Sequence, residues 1–212
     1  MVKYYKKTTY SYSKRGKYYT NRHVTNLIRN WGKYKLCMSF FLIKKTVDTH
    51  YEYQLEGLDS AKTQLCTSEP LGIALRHCNY FDQLQTEWTF WKCTGICFEV
   101  EPTTPNFQAN LYDGSVAFGM STEQILPAQD DSYAKVIESD KAFILDIKSA
   151  MRKYYPVRTT DYQIFDNTNT VPRLPYRVAI GWKEFSQVQE NTIWPKWVIK
   201  MTFYLTCKDK IL

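Results

Sequence analysis

The residues with the clearest chemistry lie at the beginning of the chain, where lysine, arginine and tyrosine are interleaved. Residues 3–19, KYYKKTTYSYSKRGKYY, contain six tyrosines, six basic residues and no carboxylate. Lysine and arginine displace the counterions that condense on phosphates, and aromatic rings stack on unpaired bases. The pattern therefore predicts a contact with nucleic acid, and it favours a single strand because stacking requires exposed bases.

The predicted nucleic-acid-binding residues continue this pattern up to the first apolar run. A nuclear-import signal or a partner-binding tail would use the same lysines, although a plain import signal needs only about five to eight residues and no tyrosines. The predicted contact residues are Lys3, Tyr4, Tyr5, Lys6, Lys7, Tyr10, Tyr12, Lys14, Arg15, Lys17, Tyr18, Tyr19, Arg22, Arg29, Lys33 and Lys35.

Charge divides the chain into two parts. Residues 1–47 contain 12 of the 28 lysines and arginines and no Asp or Glu. The remaining 16 basic residues are outnumbered by all 21 acidic ones, which gives the rest of the chain a net charge of −5. We therefore expect a basic arm over residues 1–35 and one folded domain over residues 36–212.

Motifs for the common catalytic and cofactor sites are absent from the sequence. There is no phosphate-binding loop, dinucleotide fingerprint, HExxH or GxSxG, and only three histidines. We expect a protein that is not an enzyme and has no cofactor. The start of the chain also lacks the apolar stretch of a secretory signal, so a soluble protein with reduced cysteines and no membrane contact is expected.

A zinc site is the alternative use of the cysteines. Cys93 and Cys97 have a CxxxC spacing, and His77 with Cys78 could complete four ligands. Paired C-x₂-C motifs are missing, however, and the pair lies inside an aromatic run. We therefore predict no metal and leave this alternative to be tested by the structure.

The folded part has the pattern of an antiparallel β-sandwich. Aromatic residues make up 16% of the chain, a composition that favours strands. Residues 197–208 alternate between apolar and mostly polar positions, and residues 177–183 repeat the pattern. Residues 36–48 and 88–100 are predicted as further strands, with Gly95 at a bulge or kink.

Three segments are less clear from the pattern. Residues 55–80 contain turn residues and are predicted as a loop, while Ser121 with Gln124 indicates a short helix over residues 121–126. Residues 132–155 have apolar side chains at helical spacings, but a two-layer sandwich leaves little room for a long helix. We favour a strand around residues 141–147 and keep the helix as the alternative.

Four segments, taken in order, resemble the capsid proteins of small circular single-stranded DNA viruses, the circovirus-like group. The basic leader resembles the family's internal arm, although it has Lys and Tyr where the family prefers Arg. The other segments are NYFDQLQTEWTFW at 79–91, DSYAKVIESDKAFILDIKSAMRKYYPV at 131–157 and WVIKMTFYLTCKD at 197–209.

The resemblance implies an all-β fold, an eight-stranded antiparallel jelly roll with a basic N-terminal arm. It also implies strand rather than helix over residues 132–155. As a function it implies a virion protein that forms an icosahedral shell, in the smallest case of about 60 copies, and packages single-stranded DNA. The resemblance also implies two kinds of partner, a host receptor and nuclear import factors. It further implies localisation to the host cytoplasm and nucleus during assembly. Coat proteins of small RNA or satellite viruses, and non-viral single-strand-binding domains, are the alternatives.

Overall fold

The computed structural model describes residues 31–47, 50–58, 64–66, 68–103, 114–125, 132–139, 141–158, 161–165, 171–183 and 194–211. Within these ranges strands predominate over helices. The helices are α1 (Leu71–Arg76), α2 (Asn79–Glu87) and α3 (Ser132–Glu138). The strands are β1 (Trp31–Val47), β2 (His50–Gly57), β3 (Gln64–Leu65), β4 (Trp88–Pro102), β5 (Ser115–Ser121), β6 (Phe143–Ile144), β7 (Met151–Pro156), β8 (Gln163–Ile164), β9 (Arg177–Lys183) and β10 (Trp197–Lys210).

The strands form two antiparallel sheets with the order of a jelly roll. The centre of the first sheet is β1-β10-β4-β7, with β2 and β3 beyond β1 and β8 beside β4. The second sheet has the order β6-β5-β9. Residues 68–70 run along β9, where the Ser68 N–H donates to the Val178 carbonyl at 2.8 Å and the Val178 N–H donates to the Glu69 carbonyl at 2.7 Å. The predicted all-β jelly roll is confirmed.

The faces of β10 follow the predicted alternation. Its six odd-numbered apolar side chains, from Trp197 to Cys207, are each at most 1% exposed. On the other face Lys200 and Lys208 are exposed and Tyr204 is half-buried. Successive side chains of a strand point to opposite faces, so the apolar set packs on the core and the polar set lies outside.

Aromatic pairs join the two sheets across the core. Phe98 of β4 meets Phe118 of β5 edge to face, with 5.2 Å between ring centres. Tyr53 of β2 packs 5.9 Å from Trp182 of β9, and the indole Nε1 of Trp197 donates to the Asp146 carbonyl at 2.8 Å. The edge-to-face arrangement of Phe98 and Phe118 is a favoured geometry of buried aromatic pairs.

The predicted irregularity at Gly95 is a β-bulge. The register of β4 against β10 shifts there, because Tyr204 pairs with Gly95 while the next residue, Leu205, pairs with Cys93. Thr94 is the extra residue, and its hydroxyl donates to the Tyr204 carbonyl at 3.1 Å. A bulge of this kind increases the local twist of the sheet.

The prediction of a strand over residues 132–155 is wrong in its first part. Ser132–Glu138 is helix α3, whereas Phe143–Ile144 and Met151–Pro156 are strands. Val136 of α3 is fully buried against Ala117 and Ala179, which point outward from the second sheet. These small side chains leave room for a helix, so α3 forms a third layer that the two-layer argument did not consider.

Two other predictions about helices are wrong. The loop predicted over residues 55–80 contains the end of β2, β3, α1 and the beginning of α2, and α2 is the whole segment NYFDQLQTE that precedes β4. The short helix predicted at 121–126 is absent from residues 121–125, where the Ser121 hydroxyl accepts from the Glu123 N–H at 3.0 Å in a local turn. Among the described helices, none is both long and apolar enough to cross a membrane.

Candidate nucleic-acid interface

Most of the predicted contact residues lie outside the described part of the chain. The structure places Lys33 and Lys35, and the other predicted contact residues, from Lys3 to Arg29, are not described. Lys33 and Lys35 are exposed and lie on β1, which begins at Trp31, inside the range assigned to the arm. Their neighbours Leu36 and Met38 point into the core, so the two lysines lie on the outer face of the first sheet.

The register of the first sheet gathers further basic and aromatic residues around these two lysines. Lys35 pairs with Tyr204 of β10, and Lys33 pairs with Thr206, which in turn pairs with Lys92 of β4. We call this set the sheet-face patch. It consists of Trp31, Lys33, Lys35, Lys92, Tyr154, Tyr162, Tyr204 and Lys208.

The lysines of the sheet-face patch lie over its rings. The ammonium of Lys35 is 5.5 Å from the ring centre of Tyr204, and that of Lys33 is 5.4 Å from the ring centre of Trp31. Lys92 and Lys208 share the ring of Tyr162, at 4.7 and 6.0 Å. These are cation–π distances, which hold each lysine stem beside a flat apolar ring.

Two tyrosines extend the aromatic part of the patch towards β7. Tyr154 is 54% exposed and meets Tyr204 edge to face, with 5.5 Å between the ring centres. Tyr162 is 37% exposed. Large rings with this much accessible surface can receive a planar ligand without any change in the backbone.

Carboxylates lie further along the same face rather than within the patch. Glu99 on β4 lies 3.4 Å from the Nε of Arg152 and 3.3 Å from the Nζ of Lys200, and this contact raises the pKa of Lys200. Among the described residues, no carboxylate forms an ion pair with Lys33, Lys35, Lys92 or Lys208. The four lysines of the patch therefore have no ion-pair partner in the described part of the chain, although Asp161 and Asp209 adjoin Tyr162 and Lys208 in the sequence.

A cavity adjoins the patch at the edge of β1. It has a volume of about 280 Å³ and lies between Lys35 and the junction of α1 and α2, where His77, Asn79 and Tyr80 line it. Tyr80 is 67% exposed. Polar and aromatic groups thus continue from the patch around the edge of the sheet.

The four candidate zinc ligands do not converge. The thiol of Cys78 contacts the Ala74 carbonyl, that of Cys93 the Gly95 carbonyl, and that of Cys97 accepts from the Nε of Arg152. Within the described ranges, no three His, Cys, Asp or Glu side chains form a group that could hold a metal ion. Burial raises the pKa of Cys93 to about 12, which keeps this thiol protonated.

Sequence reasoning missed every residue of the patch except Lys33 and Lys35. The missed residues are Trp31, Lys92, Tyr154, Tyr162, Tyr204 and Lys208. One signal was available, because the outward face of residues 197–208 carries Lys and Tyr rather than short polar side chains. The partners on β4 and before β8 could not be found without the strand order.

Comparison with known proteins gives matches in structure alone. No protein-family model matches the chain, and no curated protein matches it in sequence. A chain of the semi-empty VLP of the giant freshwater prawn Macrobrachium rosenbergii nodavirus aligns at a TM-score of 0.52, with 10% identity over 86% of this chain and 96% of that chain. A chain of the T=3 Penaeus vannamei nodavirus aligns at 0.54, with 9% identity over 85% of this chain and 55% of that one. This is the fold of viral capsid proteins.

Proposed function

We propose that the chain is a viral coat protein that assembles into a closed icosahedral shell and packages single-stranded DNA through its basic, Tyr-rich arm. The observation that carries the proposal is the jelly roll, which aligns with chains of two nodavirus particles. The segregation of charge supports it, because residues 1–47 contain 12 basic residues and no acidic ones.

The two parts of the chain would have different tasks in this shell. The sandwich is a rigid wall element, because its core is continuous between the sheets. Residues 1–47, which include the arm, supply positive charge, and about 60 copies with 12 charges each would place roughly 700 charges against the genome. The net charge of −5 on the rest of the chain would limit binding of nucleic acid elsewhere on the shell.

The proposal includes membership of the circovirus-like group and DNA as the packaged nucleic acid. They are supported by the ordered resemblance of the leader and of three later segments to that group, and by the tyrosines, which suit unpaired bases. Assembly in the host nucleus with the help of import factors, and a host receptor on the cell surface, would belong to the same life cycle. Digestion of the packaged nucleic acid with DNase and RNase distinguishes DNA from RNA as the cargo.

A second candidate, a non-viral single-strand-binding domain, is favoured by one observation. Such a domain carries basic and aromatic side chains on its β-sheet, as oligonucleotide-binding barrels do. The sheet-face patch has this composition, with Lys35 beside Tyr204 and Lys92 beside Tyr162. The two candidates differ in assembly, because a binding domain has no need to form a closed shell.

The deciding experiment is to purify the full chain, image it by electron microscopy and digest the nucleic acid extracted from it. Uniform hollow particles whose contents are degraded by DNase and resist RNase would support the whole proposal. Particles that protect RNA would keep the coat function and overturn the DNA cargo. If light scattering shows a monomer under all assembly conditions and the protein binds single strands tightly, the coat function would be rejected and the single-strand-binding domain supported.

A further inference from the structure

We propose that the sheet-face patch is itself a binding surface for single-stranded nucleic acid, with its lysines on phosphates and its rings against bases. The inference rests on the proposed function and extends it from the arm to the folded domain. It also assigns an orientation, because a coat protein that binds its genome through the first sheet must turn this face towards the interior of the shell.

The charge of the patch matches a polyanion. Lys33, Lys35 and Lys208 are exposed, and in the described ranges no carboxylate pairs with them. Unpaired ammonium groups on one face bind phosphates by releasing condensed counterions, which is a contact that does not depend on base sequence. The ion-paired Glu99 marks the far limit of the patch, since a carboxylate repels a phosphate backbone.

The rings of the patch suit bases that are not paired. Tyr154 and Tyr162 are more than a third exposed, and Tyr204 lies between the ammonium of Lys35 and the ring of Tyr154. A base stacked on these rings would have lysines beside its own phosphates. Because every base has a flat face, such a surface accepts any sequence, but a duplex hides the bases from it.

The position of the patch also supports the assignment. β1 begins at Trp31, so the patch starts directly after the basic leader and continues its composition onto the sheet. The two sheets differ on their outer sides, because α3 covers the second sheet through Val136, while the sheet-face patch of the first sheet is accessible in the described part of the chain. In the described ranges, the first sheet therefore presents lysines and rings on an accessible β surface that begins next to the predicted arm.

A charge-reversal pair in the full chain tests the contact. The test variant is K33E/K208E, and the control is K148E/K183E, which makes the same change in net charge at two exposed lysines outside the patch. Both double variants should have the same thermal unfolding midpoint as the parent protein. Binding of oligo(dT) is then measured by fluorescence anisotropy over a range of salt concentrations.

We expect the test variant to bind at least about 10-fold more weakly than the control. Its plot of log affinity against log salt should become shallower by about 1.4, because each phosphate contact on a single strand contributes about 0.7 to the slope. The control should keep the parent slope. Equal losses in both pairs would overturn the inference, since binding would then follow net charge rather than the patch.

Alkylation of Cys37 provides a second measurement on the parent chain. Cys37 is exposed on the outer face of β1, two residues after Lys35 and on the same side of the strand. Cys66 is a partly exposed thiol outside the patch and serves as the control. Bound oligo(dT) should slow the reaction of Cys37 with iodoacetamide and leave that of Cys66 unchanged, as read by peptide mass spectrometry. Unchanged reactivity of Cys37 under saturating oligo(dT) would also overturn the inference.

The inference and the proposed function fail in different ways. Particles that package nucleic acid while Cys37 stays fully reactive would keep the coat function and overturn the patch, leaving the arm as the contact. A protein that never assembles, yet loses binding in K33E/K208E alone, would keep the patch and overturn the coat.

Discussion

The ring of Tyr154 lies across the backbone of Gly95 at the bulge of the first sheet. A Cβ added to Gly95 would come within 2.7 Å of the ring carbon Cε2 of Tyr154, closer than unbonded carbons approach. The same ring meets Tyr204 edge to face, with ring planes at 81°. Glycine at position 95 therefore allows β7 to place a tyrosine on the sheet-face patch.

Replacing Gly95 should displace this tyrosine. We expect G95A to lower the free energy of unfolding by about 1–3 kcal/mol, because the new methyl group overlaps the ring. In a Y154A background the obstacle is gone, so the same substitution should cost much less. Urea unfolding of the four proteins of this double-mutant cycle measures the difference, and equal costs in both backgrounds would show that Tyr154 does not set the requirement.

Gly119 offers a contrasting case, because its neighbour is backbone. A Cβ at this position of β5 would meet the carbonyl of Lys141 and come within 2.7 Å of the Cα of Ala142. We expect G119A to destabilise the fold by about 1–3 kcal/mol. Truncating the neighbouring side chain in A142G should bring no relief, since the overlap is with the main chain. A clear rescue in the double variant, measured by urea unfolding, would contradict this account.

Two buried thiols make stability fall at alkaline pH. Burial raises the pKa of Cys93 and of Cys207 from 9.0 to about 12. Between pH 9 and 12 the unfolded chain loses these protons while the folded chain keeps them, so the free energy of unfolding decreases as the pH rises. The contribution is fully present below pH 9.

Denaturant unfolding between pH 8 and 11 tests this linkage. C93A should flatten the alkaline decline, whatever its effect on stability at pH 8, because it removes one of the groups that titrate there, while Cys207 and Tyr155, whose pKa burial also raises to about 12, remain. C37A is the matched cysteine-to-alanine control at an exposed position. A decline of the same steepness in C93A would assign the effect to other groups.

The tyrosines of the leader should distinguish single strands from duplexes. Replacing Tyr4, Tyr5, Tyr10, Tyr12, Tyr18 and Tyr19 by leucine keeps the charge of the leader and removes six rings that could stack. We expect affinity for single-stranded DNA to fall more than affinity for a duplex of the same length, since stacking needs free bases. Equal losses in electrophoretic titrations would remove stacking and leave charge alone.

Period-2 patterns predicted the strands well, because a strand determines which side chains share a face without reference to the rest of the fold. The alternation in β10 was predicted correctly for this reason, and the bulge at Gly95 was predicted because a glycine inside a strand often marks one. The prediction failed at α3, where the apolar spacings were those of a helix. A wrong assumption about layers overrode them, and the outward-pointing Ala117 and Ala179 that make room for the helix lie on distant strands.

The amino-acid sequence alone determined that the chain has a cationic, tyrosine-rich leader followed by an acidic β-sandwich, because charge segregation and alternation are local properties. Only the tertiary structure decided that Lys33, Lys92 and Lys208 belong to one surface. They are far apart in the sequence, and they become neighbours because β10 pairs with β1 on one side and with β4 on the other. Strand order and register, which depend on how the whole core packs, created the patch.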